Sequence, residues 1–235
     1  MSESKLKIDI RRNKILEILS QQGTVQVSEL AEVLNATNVT IRNDLDALAN
    51  EGKLVRINGG ALLNQDVGKN QKTIINLEQK KEIAKKIDEQ IKNGDTLFIN
   101  SGTTSLVVAK RLKSTKRNLN VVTNSFDVAE ELGGISGFRV ILLGGEVNSH
   151  YSFTYGAVAQ EQLNLFSADW AILSVDGVSE TGDIATCHTE EAVLDRIMIA
   201  RSSKTLIAAD SSKIGRNGFS FVCTQNDKIS VITND

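Results

Sequence analysis

The sequence contains no proline in 235 residues, only two cysteines, two histidines and one tryptophan, and aromatics make up 4% of it. Each shortage excludes something. Without proline the chain is neither collagen-like nor a polyproline spacer. Cys187 and Cys223 make neither a disulfide framework nor a metal-binding spacing. They read as plain thiols of a reducing cytoplasm, where the protein is expected. His150 and His188 have no Cys, His or carboxylate at ligand spacing, so no metal and no cofactor is expected. No apolar run approaches the roughly 18 residues of a membrane span. The start, Met1-Ser-Glu-Ser-Lys5, lacks the apolar stretch of a secretory leader. No membrane partner is expected.

An excess of either charge sign is also missing. Lys and Arg number 27 against 29 Asp and Glu, a net charge of −2. A basic balance is the usual footprint of a nucleic-acid binder, and this chain lacks it. Residues 1–63 carry eight of each sign, so they are no polycation either. If this chain binds DNA, it does so through a few placed cations.

What is present is ordinary for a folded protein: 24% charged and 40% hydrophobic residues, over a length suited to one or two domains. Residues 1–62 read as three short helices and a β-ribbon. Ile15, Ile18 and Leu19 share one face of a first helix that stops at Gly23. Val27, Leu30, Ala31 and Leu34 recur at i, i+3, i+4, i+7 on a second. A third follows Thr37, whose hydroxyl suits an N-cap, and carries Ile41, Leu45 and Leu48 before ending near Gly52. Residues 63–77 are polar and aperiodic and read as a linker. Glu78–Asn93 reads as an amphipathic helix with Ile83, Ile87 and Ile91 inward, Lys and Glu elsewhere, and Gly94 as its cap.

From there on, six short apolar runs alternate with small polar turns and helical segments. They are 96–100, 120–123, 139–143, 170–175, 205–209 and 228–233. Runs of this kind predict parallel strands buried on both faces, hence an α/β domain over 78–235. The turns follow the strands, so they gather at the carboxyl edge where open α/β sheets bind ligands.

Two clusters carry chemistry. In the first, the short connection at Asn35–Thr37 gives helix-turn-helix geometry over about 25–44. The third helix then offers Asn38, Thr40, Arg42 and Asn43 to phosphates and base edges. Arg42 suits either a guanine or a phosphate. Lys53, Arg56 and Asn58 on the ribbon, and Arg11, Arg12 and Lys14, suit flanking phosphates. The bland alternative is a three-helix packing module with a solvated face.

In the second, Ser101-Gly-Thr-Thr104, Thr123-Asn-Ser125 and Gly144-Gly-Glu146 each follow a strand. Backbone N–H groups and hydroxyls at a helix start make an anion site. One such turn alone is more simply a capped connection; three on one edge favour a ligand. None is a Walker loop or a dinucleotide fingerprint, and their size suits a monophosphate. Asp176-Gly177, Glu190-Glu191 and Asp210-Ser-Ser-Lys213 add carboxylates and a lysine fit for sugar hydroxyls or for acid–base chemistry on an aldose. A solvated surface lysine is the plain alternative for Lys213.

These residues also carry a resemblance. Arg12-Asn-Lys-Ile-Leu-Glu-Ile-Leu19, Val27-Ser-Glu-Leu-Ala31, Val39-Thr-Ile-Arg-Asn-Asp-Leu45 and Arg56-Ile-Asn-Gly-Gly-Ala61 resemble the winged helix-turn-helix of the DeoR family of bacterial repressors. Gly94–Thr104, Val121–Ser125, Leu142–Glu146, Asp176-Gly177, Glu190-Glu-Ala192 and Ala209–Lys213 resemble the same family's effector domain. The resemblance implies DNA reading by the helix with Thr40 and Arg42, and a sensor similar in fold to ribose-5-phosphate isomerase. It implies that Ser101, Gly102, Thr103, Thr104, Thr123, Asn124 and Ser125 hold phosphate and that Asp176, Glu190 and Lys213 meet the sugar. Gly144, Gly145, Glu146 and Gly177 complete the expected site. The chain departs from the family pattern at several positions. Asn43 replaces a second arginine, Asn58 a histidine, and Gln26 a capping Ser. Asp195 stands where many members have lysine, and Tyr151–Tyr155 replaces a more aliphatic segment.

The expectation is therefore a cytoplasmic repressor of a carbohydrate operon, a homo-oligomer (dimer or higher) bound to double-stranded operator DNA and relieved by a sugar phosphate. It is not expected to be an enzyme. The alternatives are a sugar-phosphate isomerase-like enzyme, for which the first 60 residues have no use, and a phosphosugar sensor that does not touch DNA.

Overall fold

The computed structural model describes residues 3–22, 24–57, 59–63 and 76–235. Gly23, Asn58 and most of the expected linker 63–77 lie outside the described residues. The chain divides into two compact units, Met1–Ile75 and Asn76–Asp235.

The first unit contains α1 (Glu3–Gln22), β1 (Thr24–Gln26), α2 (Val27–Val33), α3 (Asn38–Asn50), β2 (Leu54–Ile57) and β3 (Gly60–Leu63). Ile15 and Leu19 of α1, Leu30 of α2, and Ile41, Leu45 and Leu48 of α3 close one core with Val25, Leu54 and Ala61. The left-handed Asn35 turns the chain between α2 and α3. Thr37 caps α3: its Oγ1 accepts the N–H of Thr40 at 3.2 Å. Gln26, in the same position before α2, makes no side-chain cap. The ribbon is larger than the expected hairpin. β1 joins it, giving an antiparallel sheet of order β1-β3-β2, because Val25 has an apolar face to bury beside Ala61.

The second unit runs α4 (Leu77–Asp88), β4 (Thr96–Ile99), α5 (Thr103–Thr115), β5 (Asn120–Thr123), α6 (Phe126–Leu132) and β6 (Arg139–Leu142). A hairpin follows, β7 (Glu146–Asn148) and β8 (Phe153–Tyr155), then α7 (Ala157–Leu163) and β9 (Ala168–Ser174). The rest comprises β10 (Gly177–Val178), β11 (Asp183–Thr186), α8 (Thr189–Ala200), β12 (Ser202–Ala208), β13 (Ser220–Thr224) and β14 (Ile229–Ile232). Six strands form one parallel sheet of order β14-β12-β9-β4-β5-β6.

Alternation within each strand feeds both faces. Leu97, Ile99, Val121, Ile172 and Leu206 pack under α4, α5 and α6. Phe98, Val122, Ala171, Leu173 and Ile207 pack under α7, α8 and the small antiparallel sheet β10-β11-β13. That two-sided burial is why the sequence shows unbroken apolar runs here.

Helix α4 ends at Asp88, short of the expected Asn93. Gln90 N–H bonds Ile87 in a tight closing turn, and Gly94 N–H bonds Arg117 instead of capping the helix. Among the described residues no helix is long and apolar enough to cross a membrane.

Candidate functional site

The order of the strands decides where a ligand fits. The chain winds outward from β4 through β5 to β6, then returns to the other side of β4 as β9 and winds out to β12 and β14. The reversal leaves a crevice between the carboxyl ends of β4 and β9, which is where open parallel sheets hold ligands. Ser101–Thr104 lies after β4, and Ser174–Asp176 after β9.

Asn100 ties the two strand ends together. Its Nδ2 donates to Ser174 O and Asp195 Oδ1, both at 3.0 Å. Its Oδ1 accepts Ser174 N–H and Ser105 Oγ, both at 2.8 Å. Gly102 makes the close approach possible. Its φ is +132°, and a Cβ there would lie 2.8 Å from Ser174 Cβ. Helix α5 starts immediately after, at the same strand end, and its Ser105 N–H donates to Ser174 Oγ at 2.8 Å.

A carboxylate cluster stands beside the loop. Ser101 Oγ donates to Glu191. Thr186 Oγ1 donates to Asp176 at 3.0 Å and reaches Glu191 at 3.4 Å. Cys187 N–H donates to Asp176 at 2.8 Å, and Lys213 Nζ approaches Asp176 at 3.6 Å. Burial pushes Glu191 up to about 7, with Asp176 and Glu190 raising it further against the Ser101 and Thr186 bonds. Burial opposes ionisation of Asp176 too, but Lys213 and the Cys187 and Thr186 bonds hold it below its ordinary value. Asp195, one turn below Glu191 on α8, is 1% exposed, and burial followed by the Glu191 charge pushes it well up. Its Oδ2 is buried without a partner.

Lys80 of α4 is the cation that sequence reasoning missed. It is 5% exposed, and burial lowers its ammonium to about 8, offset by Asp210 and reinforced by Lys213. On the sequence it is one lysine among many on an amphipathic helix. Yet it sits three residues before Ile83 and four before Ala84, on the buried stripe.

The expected ligand residues do not all converge. Ser101, Gly102, Thr103, Thr104, Asp176 and Lys213 lie at the crevice. Glu190 does not: it is exposed and lines a shallow cleft with Tyr155, Gly156, Gln160 and Val193, and its neighbour Glu191 takes the inward place. The α8 spacing shows why, since Glu191, Asp195 and Met198 share the inward stripe. Thr123 and Ser125 are buried and occupied by the turn itself. Thr123 Oγ1 accepts Ser125 N–H, and Ser125 Oγ caps α6 through Val128 N–H. Asn124 donates to Thr154 O, and its Oδ1 is buried without a partner. Gly144, Gly145 and Glu146 follow the edge strand β6, two strands from the crevice. Gly144 N–H bonds Gln162, and Gly145 lets the chain pass Tyr155, whose carbonyl a Cβ would meet at 2.3 Å. Gly177 opens β10, where the carbonyl of Arg216 leaves no room for a side chain.

In the first unit, Asn38, Arg42 and Asn43 are exposed on α3, and Thr40 is half-buried. Val39, 64% exposed beside them, was not anticipated. The flanking cations are held by carboxylates. Arg11 and Arg12 place their Nε atoms 2.5 and 3.1 Å from buried Asp44. Lys53 pairs with Glu51 at 2.6 Å, and Arg56 with Asp46 at 2.8 Å. Lys14 is exposed. Of the five cations expected to meet DNA, four, Arg11, Arg12, Lys53 and Arg56, are thus paired with carboxylates, and Arg42 alone of the five stays exposed on α3.

A model described as the DeoR-like helix-turn-helix domain matches residues 11–67, and one described as the DeoR C terminal sensor domain matches residues 75–235. The glycerol-3-phosphate regulon repressor of Escherichia coli is 36% identical over 210 residues, 88% of this chain and 83% of that protein. The lactose phosphotransferase system repressor of Staphylococcus epidermidis is 31% identical over 232 residues, 96% and 91%. Among solved structures, ribose 5-phosphate isomerase A of Methanocaldococcus jannaschii is 15% identical with a TM-score of 0.44, covering 59% of this chain and 55% of that one.

Proposed function

The chain belongs to the DeoR family, and on that premise we propose that it is a cytoplasmic repressor of a carbohydrate-metabolism operon, released from its operator by a phosphorylated sugar. The observation that carries this is the crevice at the strand reversal. Helix N–H groups and the hydroxyls of Ser101, Thr103 and Thr104 offer a seat for one phosphate. Lys213 and Lys80 supply positive charge, and Asp176 and Glu191 supply acceptors for sugar hydroxyls. The negative charge of Asp210 favours the charged form of Lys80, and Asp176 faces Lys213 at 3.6 Å. The site has the parts to bind and orient a sugar phosphate.

In the first unit α3 is the reading helix. Arg42 is placed for a guanine edge or a phosphate, Asn38 and Asn43 for hydrogen bonds, and Val39 for a thymine methyl. A homodimer or larger assembly sets two such helices on operator half-sites. The sugar phosphate acts by preferring the assembly that misaligns them; equal affinity for both states shifts nothing.

A thermal-shift series tests the sensor. A bound sugar phosphate at 100 times its Kd adds about 2.7 kcal/mol of stability. The unphosphorylated sugars are expected to give no shift, and Lys213→Ala to lose the response. Because Glu191 and Lys213 could also serve an isomerase, the same protein is assayed with ribose 5-phosphate. Turnover above roughly 1 per second, the low end of ordinary enzymes, overturns the assignment as a regulator.

A further inference from the structure

We propose that Tyr151 and His188 form an aromatic wall over the effector crevice that selects sugar phosphates in closed-ring form over open-chain ones. This rests on the sensing role proposed above and narrows its ligand class.

The chain has two tyrosines and two histidines in all. Both histidines and one of the tyrosines meet at this one place. The Tyr151 and His188 rings lie 4.3 Å apart at 56°, and His150 stands edge-on to Tyr151 at 4.6 Å. Phe153 backs His188 at 6.2 Å. So local a gathering in a chain this poor in aromatics is not an average of its composition.

The wall is fixed in place from both sides. Tyr151 N–H bonds Asn148 Oδ1 at 3.2 Å, and the next residue, Ser152, is left-handed and buried. Ser152 O accepts Phe126 N–H at 3.0 Å, and Thr154 N–H bonds Asn124 O at 2.8 Å. The hairpin tip is thus stitched to the turn after β5. His188 sits at the head of α8, next to Cys187, whose N–H holds Asp176. Burial raises the Tyr151 phenol, and the charges of Asp176, Cys187 and Glu191 raise it further.

An aromatic face beside carboxylates matches one ligand chemistry in particular. A closed sugar ring presents a flat array of C–H groups to the ring face, whose quadrupole is negative, while its equatorial hydroxyls reach the carboxylates at the edge. An extended polyol phosphate has the hydroxyls but no flat face. Glu191 accepts the Ser101 hydroxyl and its charge also raises the Tyr151 phenol, so the loop after β4 and the wall share one carboxylate.

The test uses the full-length protein and calorimetric titration. The ring-forming probes are glucose, galactose and fructose 6-phosphates. The open-chain probes are glucitol 6-phosphate and glycerol 3-phosphate, and inorganic phosphate reports the phosphate seat alone. At least one ring-forming probe is expected to bind tenfold or more tightly than either open-chain probe. Tyr151→Leu is expected to erase that preference, Tyr151→Phe to keep it, and both to bind inorganic phosphate as the parent does. The unliganded melting temperature confirms folding of each variant. An open-chain probe that binds as tightly as any ring form overturns the wall, as does a Tyr151→Leu protein whose ring preference stays within twofold of the parent. Either result leaves sugar-phosphate sensing intact. If no phosphorylated probe binds, the sensing role itself falls, and the wall with it.

Discussion

Ser101, in the loop after β4, donates its hydroxyl to Glu191, a carboxyl from a helix ninety residues later in the chain. The bond joins the loop after β4 to the inward carboxylate of α8. It also ties the state of the site to pH.

Glu191 titrates in the folded protein near 7, against an ordinary value of 4.5. Below pH 4.5 folded and unfolded chains both carry the proton, and the group is neutral to stability. Between 4.5 and 7 only the folded chain keeps it, so stability falls as pH rises through that window. The full loss is on the order of 3 kcal/mol, at 1.36 kcal/mol per pH unit. Urea unfolding from pH 4.5 to 8 is expected to show this decline, and Glu191→Gln to flatten it. An unchanged slope in the variant contradicts the assignment.

Gly102→Ala puts a methyl 2.8 Å from Ser174 Cβ at a φ of +132°. A cost of roughly 1–3 kcal/mol is expected from strain alone. The loop has to shift, so inorganic phosphate and sugar phosphates are expected to bind at least tenfold more weakly. Calorimetry on a variant that melts as a folded protein measures this.

Asp44 carries two guanidinium partners while almost fully buried. Asp44→Ala leaves Arg11 and Arg12 in reach of water, so the expected destabilisation is about 1–2 kcal/mol. DNA affinity is expected to drop too, because α1 and α3 lose their shared anchor. Equal melting and equal DNA binding in the variant would show the pairing to be incidental.

Arg42→Ala is expected to cost about 1–3 kcal/mol of operator affinity if the guanidinium reads a base edge. If it meets a phosphate instead, the loss is uniform across sequences and the salt slope falls by about 0.9. Anisotropy titrations at several salt concentrations separate the two. With Arg11, Arg12, Lys53 and Arg56 already paired to carboxylates, a modest slope is expected for each protomer. A slope implying roughly ten phosphates per protomer contradicts this count.

The six parallel strands were legible in the sequence because both of their faces are buried, as Leu97 and Phe98 show by packing on opposite sides. Helix α3 was legible from Thr37 and the Ile41, Leu45, Leu48 stripe. The hairpin β7–β8 was not: its strands are three residues each, and its fold depends on Ser152 and on bonds to a distant turn. Choosing between Glu190 and Glu191 needed the α8 face that packs inward. The inward lysine at position 80 was hidden among its neighbours, and the pairing of Arg11 and Arg12 with Asp44 joins residues more than thirty apart.

The central claim is that occupancy of the crevice controls DNA binding. The direct measurement is the affinity of the full-length protein for a labelled fragment of its own promoter, with and without a panel of sugar phosphates. At least one sugar phosphate is expected to weaken binding tenfold or more, and Lys213→Ala to hold the fragment while ignoring that ligand. If the protein binds its promoter and no sugar phosphate changes that affinity, the account is contradicted.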